Sequence, residues 1–212
     1  MIRDYAIIRE SAGRVASAAN GTLSALREGR IEQEPDFTSN MIGRIEEAMD
    51  GFVVKGVKWT AKVLTDRGPD AQEKRFGADF VGVLEIKLSE YSVRKGFLVQ
   101  AKKIAPEQLM ASREFGRMRE QCQQMLEISS ASYVFLYSHA GIAVVPALSV
   151  VSLSHANNPH RLYSRSVSRF YEEHFESFVG DPKIYAPSIH VLEEIAERAR
   201  ASRALSLLAE QA

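Results

Sequence analysis

The stretch that most constrains this chain is residues 76–103, where two apolar segments, 77–88 and 95–103, flank a polar connection at 92–94. Val, Leu, Ile and Phe at this density read as strands packed on both faces. Such strands do not bury charge without cost, because a carboxylate or ammonium taken out of water needs a counter-charge, a hydrogen bond or a cation. Yet the first segment carries Asp79 and the second carries Gln100 and Lys102. Side chains two apart on a strand share a face, so Gln100 and Lys102 point together and Ala101 points away. With the two strands side by side, Asp79 joins them. A shared site is the most economical reason for all of these misfits.

The residue types suit one kind of chemistry. A carboxylate, an amide oxygen and a backbone carbonyl are hard oxygen donors of the kind Mg²⁺ takes. Asp79, Gln100 and the carbonyl of Ala101 would supply them. Hydrolysis of a phosphodiester needs a cation to neutralise the phosphate and activate water, and Lys102 would orient that water or stabilise the developing negative charge.

Around this stretch the hydrophobic period changes from helix to strand and back. Residues 3–28 place Ile7, Ile8, Val15, Ala18, Leu23 and Leu26 at helical spacing without proline. A polar linker at 32–36 precedes a second helix, with Thr38 or Ser39 as its N-cap and Met41, Ile42, Ile45, Met49 and Phe52 on one face. Glu46 lies at the edge of that face and Glu47 farther from it. Residues 52–64 alternate apolar and polar, the mark of a strand with one wet side. Short connections to the next two strands predict an antiparallel meander. A long helix is expected over 104–128, with Pro106 in its first turn. Two short strands follow at 132–137 and 141–146, and the rest, at 162–178 and 189–208, has helical spacing. The expected architecture is a mixed β-sheet flanked by helices in an α/β domain.

Composition sets the outer bounds. With 212 residues, 45% of them hydrophobic, the chain suits one domain, residues 1–212, with a core of its own. Lys plus Arg and Asp plus Glu number 27 each, so no overall positive field attracts a polyanion. Nucleic-acid binding would have to come from a local patch, for which Arg94, Lys95, Lys103, Arg113, Arg117 and Arg119 are the candidates. The single cysteine, Cys122, falls within a helical pattern and reads as a buried thiol in a reducing compartment. No run of apolar residues is long enough to span a bilayer, so no membrane partner and a cytoplasmic location are expected. The histidines have no metal-ligand spacing and read as loop or helix-surface residues, and no phosphate-binding glycine loop or nucleophile elbow occurs.

The G-A-D-F element at Asp79 and the V-Q-A-K element at Gln100 and Lys102 resemble the PD-(D/E)XK nuclease superfamily, in its Gln-x-Lys variant. The resemblance covers about residues 38–146. It implies a restriction-endonuclease-like fold and a nuclease dependent on Mg²⁺ or Mn²⁺. Nucleic acid, with DNA as the expected substrate, would be cut in defence against foreign DNA or in repair. The catalytic set would be Asp79, Gln100 and Lys102, with Asp79, Gln100 and Ala101 holding the metal and Glu46 as the helix acid common in that superfamily. Gln100 departs from the acidic residue usual at its position and leaves the cation one charge short. Glu47 and Glu73 are the other acids that could compensate. Asp70 with Glu85 and Lys87 spells a second registration, but 65–70 reads as a turn and Lys87 sits at a strand end. The alternative function is a nuclease fold that has lost catalysis and serves as a nucleic-acid-binding or assembly module. A nuclease with one site per chain often acts as a dimer, and 189–208 would offer the apolar face for one.

Overall fold

Asp4 accepts a hydrogen bond from the Ala6 N–H and so caps α1 (Tyr5–Arg27), whose Ala-rich face packs on α2 (Glu34–Met49). Strands β1 (Val53–Val54) and β2 (Val57–Thr65) follow. They lead to the hairpin of β3 (Phe80–Leu88) and β4 (Tyr91–Lys103), then α3 (Ser112–Ile128), β5 (Ser132–Ser138) and β6 (Gly141–Pro146). The chain continues through α4 (Ala147–Ser152), β7 (Arg165–Ser166), α5 (Val167–Phe175), α6 (Ile189–Arg198) and β8 (Arg203–Gln211). These elements come from a computed structural model that describes residues 2, 4–65, 77–153, 158–185, 189–199 and 201–212.

The strands form one eight-stranded mixed sheet in the order β1-β2-β8-β3-β4-β5-β6-β7. One face carries Trp59, Phe80, Phe97, Phe135 and Tyr137 against α1, α2 and α5. The other carries Val81, Val83, Leu98, Val134 and Leu136 against α3, α4 and α6. A mixed sheet flanked by helices is therefore what the chain forms. At its centre Gly82 faces Phe97 across the hairpin, and a β-carbon on Gly82 would meet that ring at 2.3 Å. The missing side chain is what lets the ring lie over the strand.

The structure corrects several expectations. Residues 189–208 are not one helix: α6 ends at Arg198, and β8 then runs antiparallel to β2 and parallel to β3. The expected meander is thus interrupted, since β8 separates β2 from β3. Local preference for helix in an Ala- and Leu-rich segment gives way to two ladders of backbone hydrogen bonds and to the burial of Ala204, Leu205, Leu207 and Ala209. The dimer face expected on 189–208 does not exist as a helical surface, because Leu205 lies inside the sheet. The C-terminal part is no helical extension, as it supplies an inner strand.

Smaller differences have local causes. The turn of the β3–β4 hairpin lies between Leu88 and Tyr91 rather than at 92–94. Helix α2 begins at Glu34, four residues before Thr38, with Pro35 in its first turn. Helix α3 begins at Ser112 and not near Pro106, because tertiary bonds hold the preceding segment open. The Ile104 N–H bonds to the Tyr137 carbonyl, and the Asn158 amide bonds to the Pro106 carbonyl at 2.8 Å.

Candidate functional site

Beyond the Phe80–Val99 pair, β4 continues toward Lys103 while the β3 ladder ends, which opens a notch beside residues 100–103. Asp79 stands at the head of that notch. Its own N–H donates to the Val99 carbonyl at 2.7 Å, and its Oδ2 accepts from the Ala101 N–H at 2.6 Å and the Gln100 Nε2 at 2.5 Å. A residue's N–H and C=O point to the same side of a strand. The Ala101 carbonyl therefore faces the notch with its N–H. The Oε1 of Gln100 is buried and has no hydrogen-bond partner among the described residues. An acceptor left in that state costs free energy that a ligand could recover.

The electrostatics are unusual for a carboxylate. Burial pushes the Asp79 carboxyl up to about 6, and the Glu34 charge adds to that rise. The Ala101 N–H, Lys102 and Arg203 oppose it without winning. Two cations thus flank an acid that desolvation disfavours. Arg203 reaches it indirectly, through its bond to the Ser202 hydroxyl at 2.9 Å and the bond of that hydroxyl to the Asp79 carbonyl at 3.1 Å.

Lys102 is mostly buried, and its Nζ lies 3.0 Å from the Glu34 Oε2. The Glu34 Oε1 accepts from the Lys103 N–H, also at 3.0 Å, so one carboxylate fastens the start of α2 to the end of β4. Glu34 is therefore the acid that α2 brings to the notch. Glu46 does not take that place: its Oε1 accepts from the Val63 N–H on β2 at 2.7 Å, and β8 stands between that strand and β3. Glu47 is exposed on the far side of α2. Tyr137, stacked on Phe37 with ring centroids 3.7 Å apart, buries a hydroxyl that has no partner among the described residues. Burial first, and then the charges of Glu34, Asp79 and Asp36, keep that hydroxyl protonated.

The second registration is dispersed. Glu85 and Lys87 lie at the other end of β3, where Glu85 binds Arg94 at 2.6 Å and Lys87 at 3.2 Å. Asp70 and Glu73 fall outside the described residues. The expected basic patch also divides, because Arg94 is committed to Glu85 and Lys95 is buried. Arg113 and Arg117 remain together and line an open cleft of about 690 Å³ with Lys102, Gln121 and Gln124. Cys122 is on the buried face of α3, and burial pushes its thiol up to about 12, where it is inert.

Sequence reasoning missed Glu34 and Arg203. The signal for Glu34 was Pro35, which favours the first turn of a helix and could have moved the start of α2 upstream. Arg203 had no such signal, since its position depends on β8 forming in the first place. Among the described residues no group of three or more His, Cys, Asp or Glu is placed to hold a metal ion. A cation here would have to draw on the amide and carbonyl oxygens as well as the acids. Comparison with known protein families, curated proteins and solved structures gives no match.

Proposed function

We propose that the chain is a metal-dependent nuclease that hydrolyses phosphodiester bonds in the notch between β3 and β4. The observation that carries this reading is the convergence of Asp79, the Gln100 amide and the Ala101 backbone, where the amide nitrogen is bonded and the amide oxygen is buried without a partner among the described residues. That donor set fits Mg²⁺ or Mn²⁺, with Asp79, Gln100 and Ala101 as the residues that would hold it. Such an ion would supply charge neutralisation at the phosphate and a more acidic water.

The chain's own residues do the rest. The Asp79 carboxylate is held by the Ala101 N–H and the Gln100 side-chain amide, which keep it turned toward the notch. Lys102 places an ammonium beside it, held by Glu34 in one orientation, where it can stabilise charge that develops on a phosphate oxygen. Arg203 adds a second cation from the opposite strand. DNA is the expected substrate, with defence against foreign DNA or repair as the setting.

One observation favours a second reading. Lys102 already has a counter-charge in Glu34, and an ion pair of that kind can hold a fold together without chemistry. In that case the chain is a non-catalytic binding or assembly module. Purified protein incubated with plasmid, linear DNA, single strands and RNA, in Mg²⁺, Mn²⁺ or EDTA, separates the two. Cleavage that needs the metal and disappears in Asp79→Ala is expected. Undiminished cleavage in excess EDTA would sink the nuclease reading.

A further inference from the structure

We infer that the cleft between α3 and the end of β4 receives a single strand of nucleic acid by its phosphate backbone, on Arg113 and Arg117. This rests on the nuclease reading for the identity of the polyanion, and it adds which form of nucleic acid reaches the notch and by what path. Arg113, Arg117, Gln121 and Gln124 recur at helical spacing and make one polar stripe along α3, with Lys102 facing them across the cleft. Neither arginine has an ion-pair or hydrogen-bond partner among the described residues. Two free guanidinium groups one turn apart, about 6 Å along the helix axis, offer successive sites for a linear polyanion. Gln124 also lines the cleft, and its Oε1 is buried without a partner among the described residues, an acceptor suited to a base amino group.

Size decides between one strand and two. A cleft of about 690 Å³ admits a short piece of a single strand but not the width of a duplex. Among the described residues no aromatic side chain lines it, so the backbone must supply most of the affinity. Glu114 and Glu120 on the rim moderate the charge, which suits weak, salt-sensitive binding rather than tight capture.

The test is anisotropy with a fluorescent oligothymidylate in EDTA, titrated over a range of salt concentrations, so that binding is read without cleavage. Each phosphate contact to a single strand contributes about 0.7 to the slope of log K against log salt. Arg113→Ala with Arg117→Ala should therefore weaken binding and flatten the slope by about 1.4. Both residues are exposed, and matching thermal unfolding would confirm that the double variant folds. Asp79→Asn should bind the strand while losing cleavage, so failure of the nuclease reading and failure of this one look different. An unchanged slope in the double variant would overturn the assignment. So would no binding by the parent, tighter arginine-dependent binding of a blunt duplex, or equal displacement by polyglutamate.

Discussion

Two of the three lysines on strand β4, Lys95 and Lys102, have surroundings that differ in an instructive way. Lys95, at one end, is 2% exposed, and its ammonium donates to the carbonyls of His174 and Val179, the latter at 2.8 Å. No carboxylate pairs with it among the described residues. Desolvation alone pulls it down to about 7. The His174 ring beside it, also buried and not on the helix surface where its sequence setting placed it, is pushed down to about 3 by burial and by the Lys95 charge. Lys102, at the other end, faces an acid, borders an amide oxygen that has no partner among the described residues and opens on a cleft. Burial of a charge is thus a poor guide to chemistry by itself. What separates the two ends is access, together with acceptors that nothing among the described residues satisfies.

The contrast is sharpest in turnover. Lys102→Ala should lower cleavage by about 10²–10⁴-fold, the usual worth of one positioned charged group. Lys87→Ala, on an exposed residue paired with Glu85, should leave it unchanged. The reverse result would move the site to the far end of β3. Thermal unfolding of both variants has to match the parent first, since removing the Lys102 ammonium takes away the ion pair with Glu34.

Metal addition gives the next effect. Mn²⁺ at a hundred times its dissociation constant should stabilise the folded chain by about 2.7 kcal/mol. The gain should be read as a rise in Tm that Asp79→Asn loses and Lys95→Met keeps. An equal rise in Asp79→Asn would show that the ion binds elsewhere.

The smallest effect belongs to Lys95 and is a matter of pH. Between about 7 and the ordinary lysine value of 10.5, the folded chain holds this residue neutral while the unfolded chain holds it protonated. The unfolded state then binds more protons, so stability should rise with pH across that window. Lys95→Met should remove the rise and cost about 1–3 kcal/mol at the alkaline end, where two carbonyls lose their donor. Denaturant midpoints measured at several pH values would test both. A parent whose stability falls with pH through this window would mean that the ammonium stays charged when folded.

Much of this was legible beforehand, for physical reasons that can be named. Asp79, Gln100 and Lys102 stood out because a two-sided apolar strand makes polar residues conspicuous, and their grouping at one notch follows from strand pairing. Strands β5 and β6, with clear alternation and a Gly-containing turn, were equally readable. Glu46 misled because a helix position at the edge of an apolar stripe says which face it borders and not which strand it meets. Segment 203–211 was unreadable because its composition favours helix, and only pairing with residues far away in sequence makes it a strand. Arg203 and Ser202 were hidden with it.

The placement of β8 has a consequence in time. Ser202 and Asp79 are 123 residues apart, yet they bond, and β8 enters the sheet between two strands made long before it. During synthesis β2 and β3 each present an unpaired edge until residues 203–211 emerge, the kind of edge that recruits other chains. Pairings of such sequence separation also form slowly. The nascent chain would therefore carry the residues of the notch well before it carries the notch itself, and any helper that shields open strand edges would act in that interval.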